Sequence, residues 1–232
     1  MQPANNLFAA YWKSRTRLPD GFVETEWLES AGSNNSGTTY LDTGLKAKPT
    51  DVYEWRAMQT ANTVNQAVIG DGNGKADSNF AVWVARPGLS QPYGIEFSFG
   101  HGGDDAYKVI APQSAYDVTE WHYYRADLTT GEGWVDGTWI GKAATLSDFP
   151  RTQKLVLFGS WRGWSSNSQF RGRISSFAAW RNGVLVRDFV PCRRVSDGAP
   201  GFYDLVGSAS PTTGTPFYIS SYQAQMSVGP DV

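Results

Sequence analysis

Two histidines, His101 and His122, and one cysteine, Cys192, are the only imidazoles and thiol in this sequence. A hydrolase of the nucleophile–base type needs a serine or cysteine beside a histidine that a third group orients. The sequence has no Gly-x-Ser-x-Gly turn, no His-Glu-x-x-His zinc motif and no phosphate-loop spacing. His122 falls inside an aromatic strand, Trp121-His122-Tyr123-Tyr124, and reads as a packed residue. One thiol supports neither an intrachain disulfide nor a multi-cysteine metal site, so Cys192 reads as a small buried apolar group. Hydrolysis of a glycosidic bond requires two carboxylates flanking it. Glu24 and Glu26 alternate onto one strand face but have no acidic continuation. Glu96 stands alone between Ile95 and Phe97, and Asp127 and Glu132 flank a turn. The expectation is a protein that is not an enzyme, with glycoside hydrolysis as the catalytic alternative.

Binding chemistry is better represented. Trp161-Arg162-Gly163-Trp164-Ser165-Ser166-Asn167-Ser168 puts two tryptophans in a polar Gly/Ser context with no strand periodicity. Tryptophan offers a broad apolar face and an N–H donor, which suits the C–H faces of sugars. Trp161, Arg162, Trp164 and Asn167 are therefore candidate contacts to a glycan, with a neighbouring subunit or internal packing as equal alternatives. Two loops carry hard oxygen ligands of the kind calcium takes: Asp71, Asn73 and Asp77 in one, Asp104 and Asp105 in the other. The simpler reading of both is an ordinary turn, because Asp, Asn and Gly favour turns for backbone reasons. No other cofactor is implied.

The chain that positions these groups has 232 residues, 41% hydrophobic and 18% charged, with a net charge of −2. That length suits one large β domain. The weak net charge argues against nucleic acid, which needs clustered lysine and arginine. No stretch approaches the ~18 apolar residues of a membrane span. The first residues lack a charged segment followed by an apolar one, so no secretory signal is expected. Asn6 can cap a short helix from Leu7 to about Arg15. Leu7, Phe8, Tyr11 and Trp12 fall on one side of it. Such a helix is too short to stand alone and must dock, on its own domain or as an anchor on another chain.

Ten tryptophans, eleven tyrosines and twelve phenylalanines are spread among 25 glycines. Aromatic and β-branched runs bounded by turn residues predict strands over 21–29, 38–43, 51–59, 66–70, 79–85, 93–99, 107–111, 121–128, 133–136, 138–141, 154–159, 173–181 and 184–191. In 51–59, Val52, Glu54, Arg56 and Met58 alternate with Tyr53, Trp55, Ala57 and Gln59. Asp136-Gly137 and Asn182-Gly183 are tight hairpin turns, and Pro191 is expected to end its strand. The pattern predicts an all-β, two-sheet antiparallel sandwich.

Two segments resemble a known family. Leu18-Pro19-Asp20-Gly21-Phe22 through Glu29-Ser30-Ala31-Gly32, followed by Thr39-Tyr40-Leu41-Asp42-Thr43-Gly44, is similar to the opening of laminin-G-like domains in phage and prophage structural proteins and bacterial surface proteins. Asn182-Gly183-Val184-Leu185-Val186-Arg187-Asp188-Phe189-Val190-Pro191-Cys192-Arg193, with Asp197-Gly198 through Phe202-Tyr203-Asp204-Leu205-Val206, is similar to their close. Phe202–Leu205 is expected to return and cover one sheet. The resemblance implies a concanavalin-A-like jelly roll over 18–219, with a helical arm at 1–17 and a tail at 220–232. It implies a non-catalytic virion structural or receptor-binding protein, such as a tail, fibre or capsid-surface component assembled in the host cytoplasm. Its partners would be other virion or surface proteins and a surface glycan, as a homo-oligomer or within a larger assembly. A bacterial cell-surface carbohydrate-binding or adhesion module is the alternative. Relatives of this fold often hold calcium in their loops.

Overall fold

The computed structural model describes residues 18–32, 39–60, 66–71, 80–84, 93–100, 105–146, 153–160 and 169–232. Its strands are β1 (Phe22–Glu24), β2 (Leu28–Ser30), β3 (Leu41–Leu45), β4 (Asp51–Gln59), β5 (Gln66–Gly70), β6 (Ala81–Val84), β7 (Tyr93–Ser98), β8 (Lys108–Pro112) and β9 (His122–Asp127). They continue as β10 (Glu132–Val135), β11 (Thr138–Lys142), β12 (Leu155–Leu157), β13 (Gly172–Arg181), β14 (Val184–Arg194), β15 (Pro200–Asp204), β16 (Phe217–Tyr218) and β17 (Met226–Val228). Among the described residues the only helical pieces are three short 3-10 turns. The expected helix with Leu7, Phe8, Tyr11 and Trp12 lies outside them.

The strands form two antiparallel sheets. The long one runs β11-β10-β9-β4-β13-β14-β15-β16, with β1, β2 and β17 joined at its side, and the short one runs β3-β12-β5-β6-β7-β8. Aromatic side chains fill the space between them. Tyr53 and Trp55 of the long sheet meet Phe80 and Phe97, with ring centroids 5.2 and 6.4 Å apart. Trp55 also stacks on Tyr124 at 5.3 Å. Each such ring, taken wholly out of water, contributes about 1.5–3 kcal/mol. Single-residue alternation in β4 follows from this packing: Tyr53, Trp55 and Ala57 are core residues, while Val52, Arg56 and Met58 keep partial exposure.

Hairpin chemistry matches the turn residues. Asp136 and Asn182 both take φ 51°, followed by Gly137 and Gly183 at φ 75°. This left-handed pair is the turn whose twist matches that of the flanking strands.

Four expectations need correction. The strand expected over 21–29 is two strands, because the chain changes neighbour: β1 pairs with β14 and β2 pairs with β13. Pro191 does not end β14, which runs on to Arg194. The Pro191 carbonyl accepts the Thr25 N–H at 3.0 Å, on the side where β13 has given way to β1. A missing donor is tolerated at such a break in the ladder. Phe202–Asp204 does not lie over a sheet but pairs edge to edge with β14 as part of β15. The segment expected as a tail, 220–232, supplies β17 to the long sheet beside β2.

Candidate functional site: the outer face of the long sheet

Register fixes which side chains share the long sheet's outer face. With Tyr53, Trp55 and Ala57 in the core, Val52, Glu54, Arg56 and Met58 of β4 point outward. In β9, Arg125 stands opposite Glu54, Tyr123 opposite Arg56 and Asp127 opposite Val52. Trp134 of β10 is opposite Arg125, and Trp139 of β11 is opposite Trp134. On the other flank, Ala178 and Ser176 of β13 lie opposite Glu54 and Arg56. A row Trp139–Trp134–Arg125–Glu54–Ala178 therefore crosses five strands, or about 19 Å at ~4.8 Å per strand.

Charge on this face is arranged around aromatic rings. Arg125 donates from Nη1 to Glu54 Oε1 at 2.8 Å and from Nη2 to Asp127 Oδ2 at 3.4 Å. Its guanidinium lies 5.2 Å from the centre of the Trp134 ring. Burial pushes the Glu54 carboxyl up to about 7, against the pull of Arg125 in the other direction. Arg56 lies over Trp121 and Tyr123, at 4.6 and 5.3 Å. Arg173 lies 4.1 Å over Trp27 and donates from Nε to Glu29 at 3.0 Å. Trp139 is 56% exposed and Tyr123 41%. Open rings can stack on the apolar face of a ligand, while the arginines and carboxylates beside them hydrogen-bond its polar groups.

Of the ligand-binding and metal residues singled out from sequence, only Asp71 and Asp105 are among the described residues. Trp161, Arg162, Trp164 and Asn167 lie outside the described residues, as do Asn73, Asp77 and Asp104. The stem after the tryptophan loop is firmly tied: Gln169 bridges to Ala67, and its Oε1 accepts the Thr39 N–H at 2.9 Å. Asp71 is buried and closes the base of its loop. Its Oδ1 accepts the Phe80 N–H at 2.6 Å, and its own N–H donates to the Phe80 carbonyl at 2.9 Å. Asp105 is exposed and sits 3.5 Å from Lys108. The strand ends that flank the two segments lie at the same end of the short sheet, since Gly70 pairs with Ala81 and Ser98 pairs with both Ala81 and Lys108. Among the described residues no three metal-ligating side chains cluster.

Other reactive groups have structural partners. His122 Nδ1 lies 2.6 Å from Asp136, and Nε2 lies 2.8 Å from the Asp117 carbonyl. Cys192 is buried, which pushes its thiol up to about 12. Glu96 is not isolated, because Lys108 reaches it at 3.8 Å. Asp127 Oδ1 accepts the Thr129 N–H at 2.9 Å, fixing the turn before Glu132. Sequence reading passed over Trp134, Trp139 and Arg125. The alternation of β4 assigned Glu54 and Arg56 to one face, but the strands beside it are not visible in a linear pattern.

No family model matches the sequence, and a search of curated proteins returns no match. Solved structures do match. A Bacteroides ovatus protein described as a candidate carbohydrate-binding protein superimposes with a TM-score of 0.50 at 15% identity, covering 88% of this chain and 60% of that one. Mouse laminin α1 domains LG4-5 give 0.48 at 16% identity, covering 70% and 44%. The Ruminococcus gnavus IT-sialidase CBM40 bound to α2,3-sialyllactose gives 0.47 at 16% identity, covering 68% and 92%. Two antiparallel sheets enclosing an aromatic core, and a likeness that extends over most of the chain, give this protein a laminin-G/concanavalin-A-like jelly-roll fold.

Proposed function

We propose that this protein is a non-catalytic binding module that engages carbohydrate at a virion or cell surface. The observation that carries this reading is the aromatic row on the outer face of the long sheet, where Trp139 and Trp134 stand side by side next to the Arg125–Glu54 pair. Sugars present C–H faces to such rings and hydroxyls to such polar groups. The tryptophan loop with Trp161, Arg162, Trp164 and Asn167 is a second candidate contact, and the two Asp-containing loops are candidate calcium ligands. Placement on a virion, as a tail, fibre or capsid-surface component, rests on the resemblance of the opening and closing segments. A bacterial surface module is the alternative, and residues 1–17 are the proposed attachment arm.

A glycan array probed with the whole chain tests the proposal. Binding should fall at least about tenfold in Trp134→Ala/Trp139→Ala with little change in melting temperature. If Trp164→Ala abolishes binding instead, the contact belongs to the loop. If wild type binds no carbohydrate, the proposal is wrong. Repeating the array and the melt in EDTA tests calcium: an unchanged signal and melting temperature would remove the metal.

Glu54 also gives the hydrolase reading one specific observation, a carboxyl held near neutrality beside Asp127. Arg125 bonds to both carboxylates and so occupies the position a scissile bond would need. Absence of any cleavage of the bound glycan, in wild type and Glu54→Gln alike, is expected.

A further inference from the structure

Among the described residues four arginines lie against aromatic rings on the outer face, and three of them are already neutralised: Arg194, over Phe217, is paired with Asp197. Arg125 is paired with Glu54 and Asp127, and Arg173 with Glu29. Arg56 differs. Among the described residues no carboxylate forms an ion pair with it, and its contacts are the faces of Trp121 and Tyr123. Its Nε is buried with no hydrogen-bond partner. Ser176, directly opposite in the register and 4% exposed, has an Oγ in the same condition. Neither atom is open to solvent, so the part of Arg56 that can meet a ligand is the Nη end of its guanidinium, which makes no hydrogen bond to a described residue.

We infer that Arg56, held between Trp121 and Tyr123 with Ser176 behind it, reads the carboxylate of an acidic sugar on this face. This rests on the carbohydrate-binding reading above and adds to it the charge class of the ligand. A guanidinium is a planar fork that matches a carboxylate in two hydrogen bonds, and rings on either side hold that plane in advance. The flanking aromatics suit a sugar ring joined to that carboxylate. A polyanion such as nucleic acid would require several free cations in a row, and the neighbouring arginines are taken.

The experiment compares matched pairs of immobilised glycans that differ only in a uronic acid against the neutral hexose, or in a free carboxylate against its methyl ester. Wild type should favour the acidic member of at least one pair by tenfold or more. Arg56→Gln should reduce that ratio to near one while leaving the melting temperature and the neutral-glycan signal unchanged. Arg56→Lys, which keeps the charge and loses the fork, should give an intermediate ratio. A wild-type ratio near one, or a preference that survives in Arg56→Gln, overturns the inference while leaving carbohydrate binding intact. Competition by polyglutamate equal to that by a polyuronate overturns the sugar assignment in favour of an acidic protein. Absence of binding to every glycan overturns this inference and the proposed function together.

Discussion

Glu54 is buried, as are Asp127, Ser176 and Ala178 around it, on a face where Trp139 and Tyr123 stay open, and its carboxyl is held near 7 by desolvation. The charged and titratable groups facing it are Arg125, Asp127 and Tyr123 from β9 and Arg56 along β4, while β13 presents Ser176, Ala178 and Trp180. A carboxyl whose folded value exceeds its unfolded value of 4.5 disfavours the folded state once the unfolded chain ionises. Its contribution is neutral below about pH 4.5, worsens as pH rises through that value, and levels off above about 7. The full effect is on the order of a few kcal/mol. The melting-temperature difference between Glu54→Gln and wild type should therefore grow in favour of the variant between pH 4.5 and 7, and stay flat on either side. A difference independent of pH would mean that Glu54 titrates in the folded protein as it does in the unfolded chain.

Within the elements, the legible part of the fold is what repeats at short range. Alternation located β4 to the residue, and the Asp-Gly and Asn-Gly pairs located two hairpins. What stayed hidden depends on partners far away in sequence. The break between β1 and β2 reflects a change of neighbour from β14 to β13, and no local signal marks it. The closing segment shows the same limit. Arg187 reaches the Thr43 carbonyl at 2.9 Å and Asp204 at 3.8 Å, and Asp204 in turn accepts the Asp188 N–H at 2.9 Å. The motif read as a string is thus a buried clasp between β14, β15 and β3. The outer-face site was legible only as half a pattern, Glu54 and Arg56, because Trp134, Trp139 and Ser176 meet it through pairing. Two glycines of this region separate local from non-local constraint. A methyl on Gly183 meets nothing within 4 Å, so Gly183→Ala costs only the left-handed backbone, about 1 kcal/mol. A methyl on Gly201 would collide with the Tyr218 carbonyl, on backbone that cannot swing aside. Gly201→Ala should lower unfolding free energy several times more than Gly183→Ala in urea titrations. Equal losses would show that β15 and β16 are not in close register.

At the scale of the whole molecule, both ends of the described body are tied into the long sheet. Phe22 packs on Tyr203 and Phe217 at 5.0 Å, β1 is hydrogen-bonded to β14, and the last strand, β17, completes the long sheet beside β2. Among the described residues no helix is long and apolar enough to cross a membrane. Residues 1–17, the proposed attachment arm, carry Leu7, Phe8, Tyr11 and Trp12, and a helix with these on one side needs that side covered. If it anchors the module, a chain starting at Leu18 should melt within about 2 °C of the full chain and run as a monomer in size-exclusion chromatography with light scattering. The full chain should form the larger species or join its assembly. The same truncated chain should keep its glycan signal, because every outer-face residue lies beyond Leu18. A truncated chain that unfolds, or that melts many degrees lower, would place the arm in the domain's own core and end the anchor reading.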